Sequence, residues 1–315
     1  MALDTNPLGL LTQARLAPGP LLVVGAGLVW YLRAWRRVPG WPVGRVVAWC
    51  TGTAVVAVAT LSGLASWDQA SFAAHGVVDM MVALVAPVFL ALGAPLALAG
   101  QAGGTRCRLA LDRVAAHPLT RVATHPALAW IVFGASLFAQ YYLPLFPSAR
   151  SHQVLLQLGH LELLVAGCLL VWPVVGVDPL PARLGPGRRA ASALLMVPFY
   201  TVFGMGLDSF THPAATGVSA ADVHVAGDVI WSAGEVIGLA VAVGILGCWL
   251  RLDLRATRQA EAVDEENLAM QAAIWRVSRL LAKPEAVQEA ERAATVEAGT
   301  IPVSGRPAGS PPRRT

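Results

Sequence analysis

Ser71-Phe72-Ala73-Ala74-His75-Gly76-Val77-Val78-Asp79-Met80-Met81, running on through Val82-Ala83-Leu84-Val85-Ala86-Pro87 to Leu92-Gly93-Ala94-Pro95-Leu96, is a long apolar run that opens with metal-capable groups. As a helix it places His75 and Asp79 one turn apart on one face. Pro87 and Pro95 interrupt it, which a membrane helix tolerates better than a soluble one. An ionisable residue at the end of such a helix is either an interfacial group bound to water or part of a site.

The rest of the chain reads the same way. Of 315 residues, 56% are hydrophobic and 13% charged, against roughly a quarter charged in a soluble domain, and the mean hydropathy is +0.58. This is the composition of an integral membrane protein. The basic residues are spread through loops, so they report orientation and not nucleic acid. Cys50, Cys107, Cys168 and Cys248 are isolated, with no CxxC, and three of them sit inside apolar runs, where Cys is usually a small core residue. No cleavage site follows the first apolar run, which is instead succeeded by Arg33, Arg36 and Arg37, so that helix is expected to stay in the chain.

Seven apolar runs, near 18–36, 46–65, 72–98, 126–146, 153–173, 190–207 and 226–250, are long enough for the bilayer core. The sixth is short and holds Pro198. Loop charge alternates: Arg36, Arg37 and Arg45, then Asp68 alone, then Arg106, Arg108, Arg113 and Arg121, then Arg150, then Arg183, Arg188 and Arg189, then none, then Arg251, Arg255 and Arg258. The positive-inside rule puts the N-terminus outside and the C-terminus in the cytoplasm, in keeping with seven spans. The expected fold is therefore all-α and polytopic. It comprises an extracytoplasmic segment 1–17, a seven-helix transmembrane domain 18–255 and a cytoplasmic tail 256–315. The tail is helix-compatible over 259–283, with a stripe of Met270, Ile274, Val277 and Leu281, and disordered from 301.

This topology gathers Asp68, His75, Asp79, His152, Asp208, His212, Asp222, His224 and Asp228 at the outer ends, with His160 roughly 12 Å deeper than His152 by helical rise. His117 and His125 fall in a basic cytoplasmic loop and carry no role. His, Met and carboxylate at helix ends point to a metal. Imidazole and thioether suit Cu(I), imidazole also suits Cu(II) or Zn, and carboxylate hardens a site. Met80, Met81 and Met205 lie near that leaflet, where packing is their competing role. His160 and Glu162 sit inside an apolar run and need polar partners. Proton relay through His160, Glu162, Asp208 and Glu235 stays open. Serine hydrolase and P-loop chemistry find no motif, and only His160 is deep enough for haem.

The opening run, with Tyr141-Tyr142-Leu143-Pro144-Leu145-Phe146 before His152 and His160, resembles the CtaG family of cytochrome c oxidase assembly proteins. So do Trp172-Pro173-Val174 with Gly176-Val177-Asp178-Pro179-Leu180-Pro181, and Gly227-Asp228, Trp231 and Gly234-Glu235 with Trp249, Asp253 and Arg255 beyond. The resemblance covers roughly residues 45–260. It implies a seven-helix plasma-membrane protein of the actinobacterial kind that supplies copper to the CuB centre of a haem-copper oxidase. Such a protein is not an enzyme, and its client is oxidase subunit I. Its partners are the lipid bilayer and an extracytoplasmic copper donor, with no nucleic acid. By position, His75 matches the first histidine of the family's His-x-x-x-His pattern and His160 the histidine of the fifth helix. The second histidine of the pattern falls where this chain has Asp79, and Gly76 stands where methionine is common.

The expected metal ligands are His75, Asp79 and His160, with His152, His224 and Asp228 as further candidates and Met80 as a soft donor for copper taken as Cu(I). Glu235 is expected to orient a ligand, and Asp178 to cap the fifth helix. Two other classes stay open: a copper or proton-coupled transporter, disfavoured by the nearly bare inner halves of the helices, and a metal-free membrane scaffold, favoured by Asp79.

Overall fold

The structure, a computed structural model, describes residues 18–68, 71–143, 152–179, 184–209, 218–281 and 284–298. Expectations resting on segment 1–17, Arg150, Arg183, the Asp208 side chain, His212 and 301–315 lie outside those residues. Among the described residues there is no strand, so the all-α reading holds. Two compact units divide between Trp249 and Leu250.

The first unit contains α1 (Pro18–Trp35), α2 (Val43–Leu61), the short α3 (Leu64–Asp68) and α4 (Phe72–Met80). A π-helical turn (Met81–Val85) then leads to α5 (Ala86–Leu92) and α6 (Pro95–Ala102). The amphipathic α7 (Gly104–Ala116) and α8 (Pro118–Ala123) precede α9 (Pro126–Tyr142), α10 (Gln153–Val175), α11 (Pro186–Leu194) and α12 (Met196–Ser209). Helix α13 (Ala220–Leu281) contributes its residues up to 249. Among the described residues, each of the seven apolar runs is predominantly helical. Five stretches are long and apolar enough to cross a bilayer: Val43–Leu61, Phe72–Ala102, Gln153–Val175, Pro186–Leu207 and Ala220–Leu281. The apolar part of α1, Gly19–Trp35, is shorter. Helix α9 has 17 residues and rises about 25 Å, just under a hydrocarbon core of about 30 Å.

The two prolines shape the central stretch. Pro87 has no N–H to return to Ala83, and the helix widens before it, with the Ala86 N–H reaching five residues back to the Met81 carbonyl. Ahead of Pro95 the chain breaks at Ala94, which takes a left-handed φ of 50°. Helix α10 fits against the widened turn because residue 167 is glycine. A Cβ there would collide with the Ala83 carbonyl oxygen and the Pro87 ring. Small residues play the same part between α12 and α13, where a Cβ on Gly204 would meet Trp231 and one on Gly234 would overlap the Tyr200 ring. In a membrane, where lipid is as apolar as leucine, such close approach supplies packing that hydrophobicity does not. The core between these helices is Phe72, Leu84, Phe133, Leu137, Leu163, Leu170, Phe203 and Ile230. Val202, Val236, Val243 and Ile131 face outward.

Asp178 departs from expectation. It does not cap the fifth apolar run, α10. That helix ends at Gly176 in a left-handed turn, and its last carbonyls, Val174 and Val175, accept from the Arg189 guanidinium. Asp178 instead caps the start of α6, accepting from the Ala97 N–H at 2.8 Å and the Leu96 N–H at 3.4 Å, and ties it to α10 through the Trp172 indole at 2.9 Å. Burial pushes its carboxyl above the usual range, and these donors offset only part of that.

In the second unit, residues 250–281 continue α13, and α14 covers Pro284–Ala298. Met270, Ile274, Val277 and Leu281 are all exposed there, and the Arg279 guanidinium lies 3.4 Å over the Trp275 ring.

Candidate metal centre

Four ionisable side chains meet inside the apolar bundle. His75 and Asp79 face the same way from successive turns of α4, as their spacing dictates, and the His75 Nε2 is 3.3 Å from Asp79 Oδ2. Asp68 arrives from the end of α3. Its Oδ1 lies 2.7 Å from His75 Nδ1 and its Oδ2 3.4 Å from His160 Nε2. His160, from α10, also stands 3.7 Å from Asp79 Oδ1. Relative exposures are 0% for Asp68 and Asp79, 1% for His75 and 5% for His160, so bulk solvent does not reach the two aspartates.

Three devices hold them there. At the start of α4, Ser71 accepts from the Ala74 N–H as N-cap, while Asp222 of α13 accepts from Ser71 Oγ at 2.8 Å, the Phe72 N–H at 2.7 Å and the Ala73 N–H at 3.2 Å. A carboxylate on exposed helix N–H groups also satisfies the helix dipole. The Gly167 contact then seats α10, and His160 lies seven residues, two turns, earlier on the same face. Finally, the Asp68 bond to His75 Nδ1 orients the ring so that Nε2 faces Asp79. Burial pushes the Asp68 carboxyl up, but the adjacent His75, with a smaller share from His160, more than offsets this and holds it below its ordinary range.

The polar inventory does not close within the protein. Asp68 Oδ2 and His160 Nε2 are buried without a hydrogen-bond partner in the protein, and the Tyr141 hydroxyl of α9 lies beside Asp79. Buried polar atoms are nearly always satisfied, by protein groups, ordered water or a bound ion, so these atoms are where such a partner would sit. The donor set fits a metal ion. The ligand atoms of Asp68, His75 and His160 lie within 4.8 Å of one another. The 3.3–3.7 Å spacings among imidazole nitrogen and carboxylate oxygen bracket the roughly 3.4 Å that separates tetrahedral ligands each about 2.1 Å from a shared ion.

His75, Asp79 and His160 are thus brought together, and the other expected ligands are not. His152 sits ahead of α10, and His224 and Asp228 lie on α13; all three are exposed. Met80 is 2% exposed and packs in the apolar core. Glu235 does not reach the cluster: it accepts from Thr201 Oγ1 at 2.6 Å and from the Trp231 indole at 2.7 Å. The expected partner of Glu162 is Ser136, which donates to it. Sequence reasoning placed Asp68 at the outer face without giving it a part, and gave none to Tyr141. The available signal was the acidic residue seven positions before His75 in a loop free of Arg and Lys.

A helical membrane bundle with an enclosed His/Asp cluster at one end defines a class of ion-handling or assembly proteins. The narrower assignment comes from comparison: residues 28–252 match the family model of the cytochrome c oxidase caa3 assembly factor, Caa3_CtaG. The chain belongs to this family and is a multi-pass membrane protein. It is 30% identical over 276 residues to uncharacterized proteins of Mycobacterium bovis and Mycobacterium tuberculosis, a match covering 78% of this chain and 41% of each relative. Identity to an uncharacterized protein of Mycobacterium leprae is 29% over 287 residues, 82% of this chain and 43% of the relative. The chain thus spans about two fifths of the length of these curated relatives. No solved structure matches it.

Proposed function

We propose that this chain is a non-catalytic assembly factor that holds copper at the Asp68–His75–Asp79–His160 cluster and supplies it to the CuB centre of a cytochrome c oxidase, with subunit I as client. The observation that carries the reading is the convergence of two imidazoles and two carboxylates in an apolar interior, with Asp68 Oδ2 and His160 Nε2 lacking a hydrogen-bond partner there. Copper bound there would be a reactive ion kept from water and from stray reductants until transfer. The residues of this chain orient and enclose: Asp68 orients the His75 ring, Asp222 anchors the helix carrying His75 and Asp79, and Gly167 seats the helix carrying His160. The loop charge pattern supports an outer-face position for the cluster, the side on which an extracytoplasmic donor would meet it.

The test is oxidase maturation in a strain lacking its own copy of this protein. The wild-type gene should restore copper-replete oxidase, read from its haem spectrum and copper content. His75→Ala and His160→Ala, expressed to the same level in the membrane, should not. Full restoration by both variants would contradict copper supply and leave a metal-free scaffold.

A further inference from the structure

The donor set carries information about the ion's charge. No sulfur belongs to the Asp68–His75–His160 group or to Asp79, which approaches both imidazoles, and Met80 is in the apolar core. The donors are two imidazole nitrogens and oxygens of two carboxylates, a borderline-to-hard set. Both aspartates are fully buried, so the charge of an ion held beside them must balance locally. Two neutral imidazoles and two carboxylates sum to two negative charges. A doubly charged cation cancels them, whereas a singly charged one leaves a buried anion.

We infer that the cluster selects a doubly charged transition-metal ion, Cu(II) or Zn(II), over Cu(I), with Asp68 and Asp79 as the charge-matching ligands. This deepens the metal reading above and rests on it. Asp68 has two parts: Oδ1 orients His75, and Oδ2 faces the shared point beside His160. Asp79 is the residue that sets the preference, because its exchange for a softer neutral donor removes a charge without emptying the position.

The experiment uses the full chain in detergent, loaded separately with Cu(II), Zn(II) and, anaerobically, Cu(I) against a Cu(I)-specific chelator. The Cu(II) form is also examined by electron paramagnetic resonance and redox titration. The wild type should retain both dications after desalting, show nitrogen coupling from two imidazoles, and lose Cu(I) to the chelator. Asp68→Asn and Asp79→Asn should each weaken dication binding by at least about tenfold. Should those variants misfold, Asp79→His keeps a ligand in place and is expected to raise the copper midpoint potential and improve retention of Cu(I). Tight Cu(I) with no dication retained would overturn the charge selection and leave the metal site standing. An Asp79→His potential equal to or below the wild-type value would overturn it as well. Failure to retain any of the three ions would overturn both readings.

Discussion

Replacing Asp222 by alanine should loosen the metal cluster from a distance. The carboxylate accepts three hydrogen bonds at the start of α4, from Ser71 Oγ and from the Phe72 and Ala73 N–H groups, and it also lies in the first turn of its own helix, α13. At about 1 kcal/mol net for each bond, and a few tenths of a kcal/mol for one negative charge beside each of two helix N-termini, the loss comes to about 3–4 kcal/mol. For a domain of this size that lowers the midpoint of thermal unfolding by roughly 6–16 °C. Asp222→Asn keeps one acceptor oxygen and should lose about half as much. His75 is one turn inside the affected end, so fraying there also reduces retained metal. Circular dichroism melts in detergent, paired with metal analysis, read both effects. Asp228→Ala, on the same helix and exposed, is the control and should stay within about 0.5 kcal/mol of wild type. If the Asp222→Ala and Asp228→Ala proteins melt together and retain equal metal, the capping argument is wrong.

Three other outcomes follow from the packing. Gly167→Ala puts a methyl against the Ala83 carbonyl and the Pro87 ring; overpacking at this contact should cost about 1–3 kcal/mol and displace His160, seen as weakened metal binding by a protein that still folds. Asp178→Ala removes the acceptor of the Ala97 and Trp172 donors and should cost about 2 kcal/mol, with a change in tryptophan fluorescence and little change in metal binding. Thr201→Val leaves Glu235 with only the Trp231 indole; a thermal midpoint lower by a few degrees with metal retention intact would confirm that Glu235 ties α12 to α13 and does not serve the cluster.

Much of this was legible because helical periodicity and depth are arithmetic. The i, i+4 spacing placed His75 and Asp79 on one face, and the position of His160 within its apolar run demanded a partner. Pro87 and Pro95 marked where the central helix would deform, though that the first gives a π-turn and the second a left-handed Ala94 came only from the structure. Asp68 escaped because it ends a five-residue helix, too short for a periodic signal. Its partnership with His75 depends on how α3 folds back against α4. Asp222 and Glu235 were misjudged or passed over for a related reason: their partners are 149–151 and 34 residues away, and helix rotation cannot be read from hydropathy. His152, His224 and Asp228 shared a leaflet with the cluster, but a shared leaflet fixes depth and leaves position within the bundle free.

The most direct test of the account is the metal content of the purified full chain after copper loading and desalting, with His75→Ala, His160→Ala, His152→Ala and His224→Ala beside the wild type. Near-stoichiometric copper is expected in the wild type and in the two variants of exposed histidines, with loss in the two variants of buried ones. Copper that is absent from the wild type, or that falls equally in all four variants, would contradict a metal centre at Asp68, His75, Asp79 and His160.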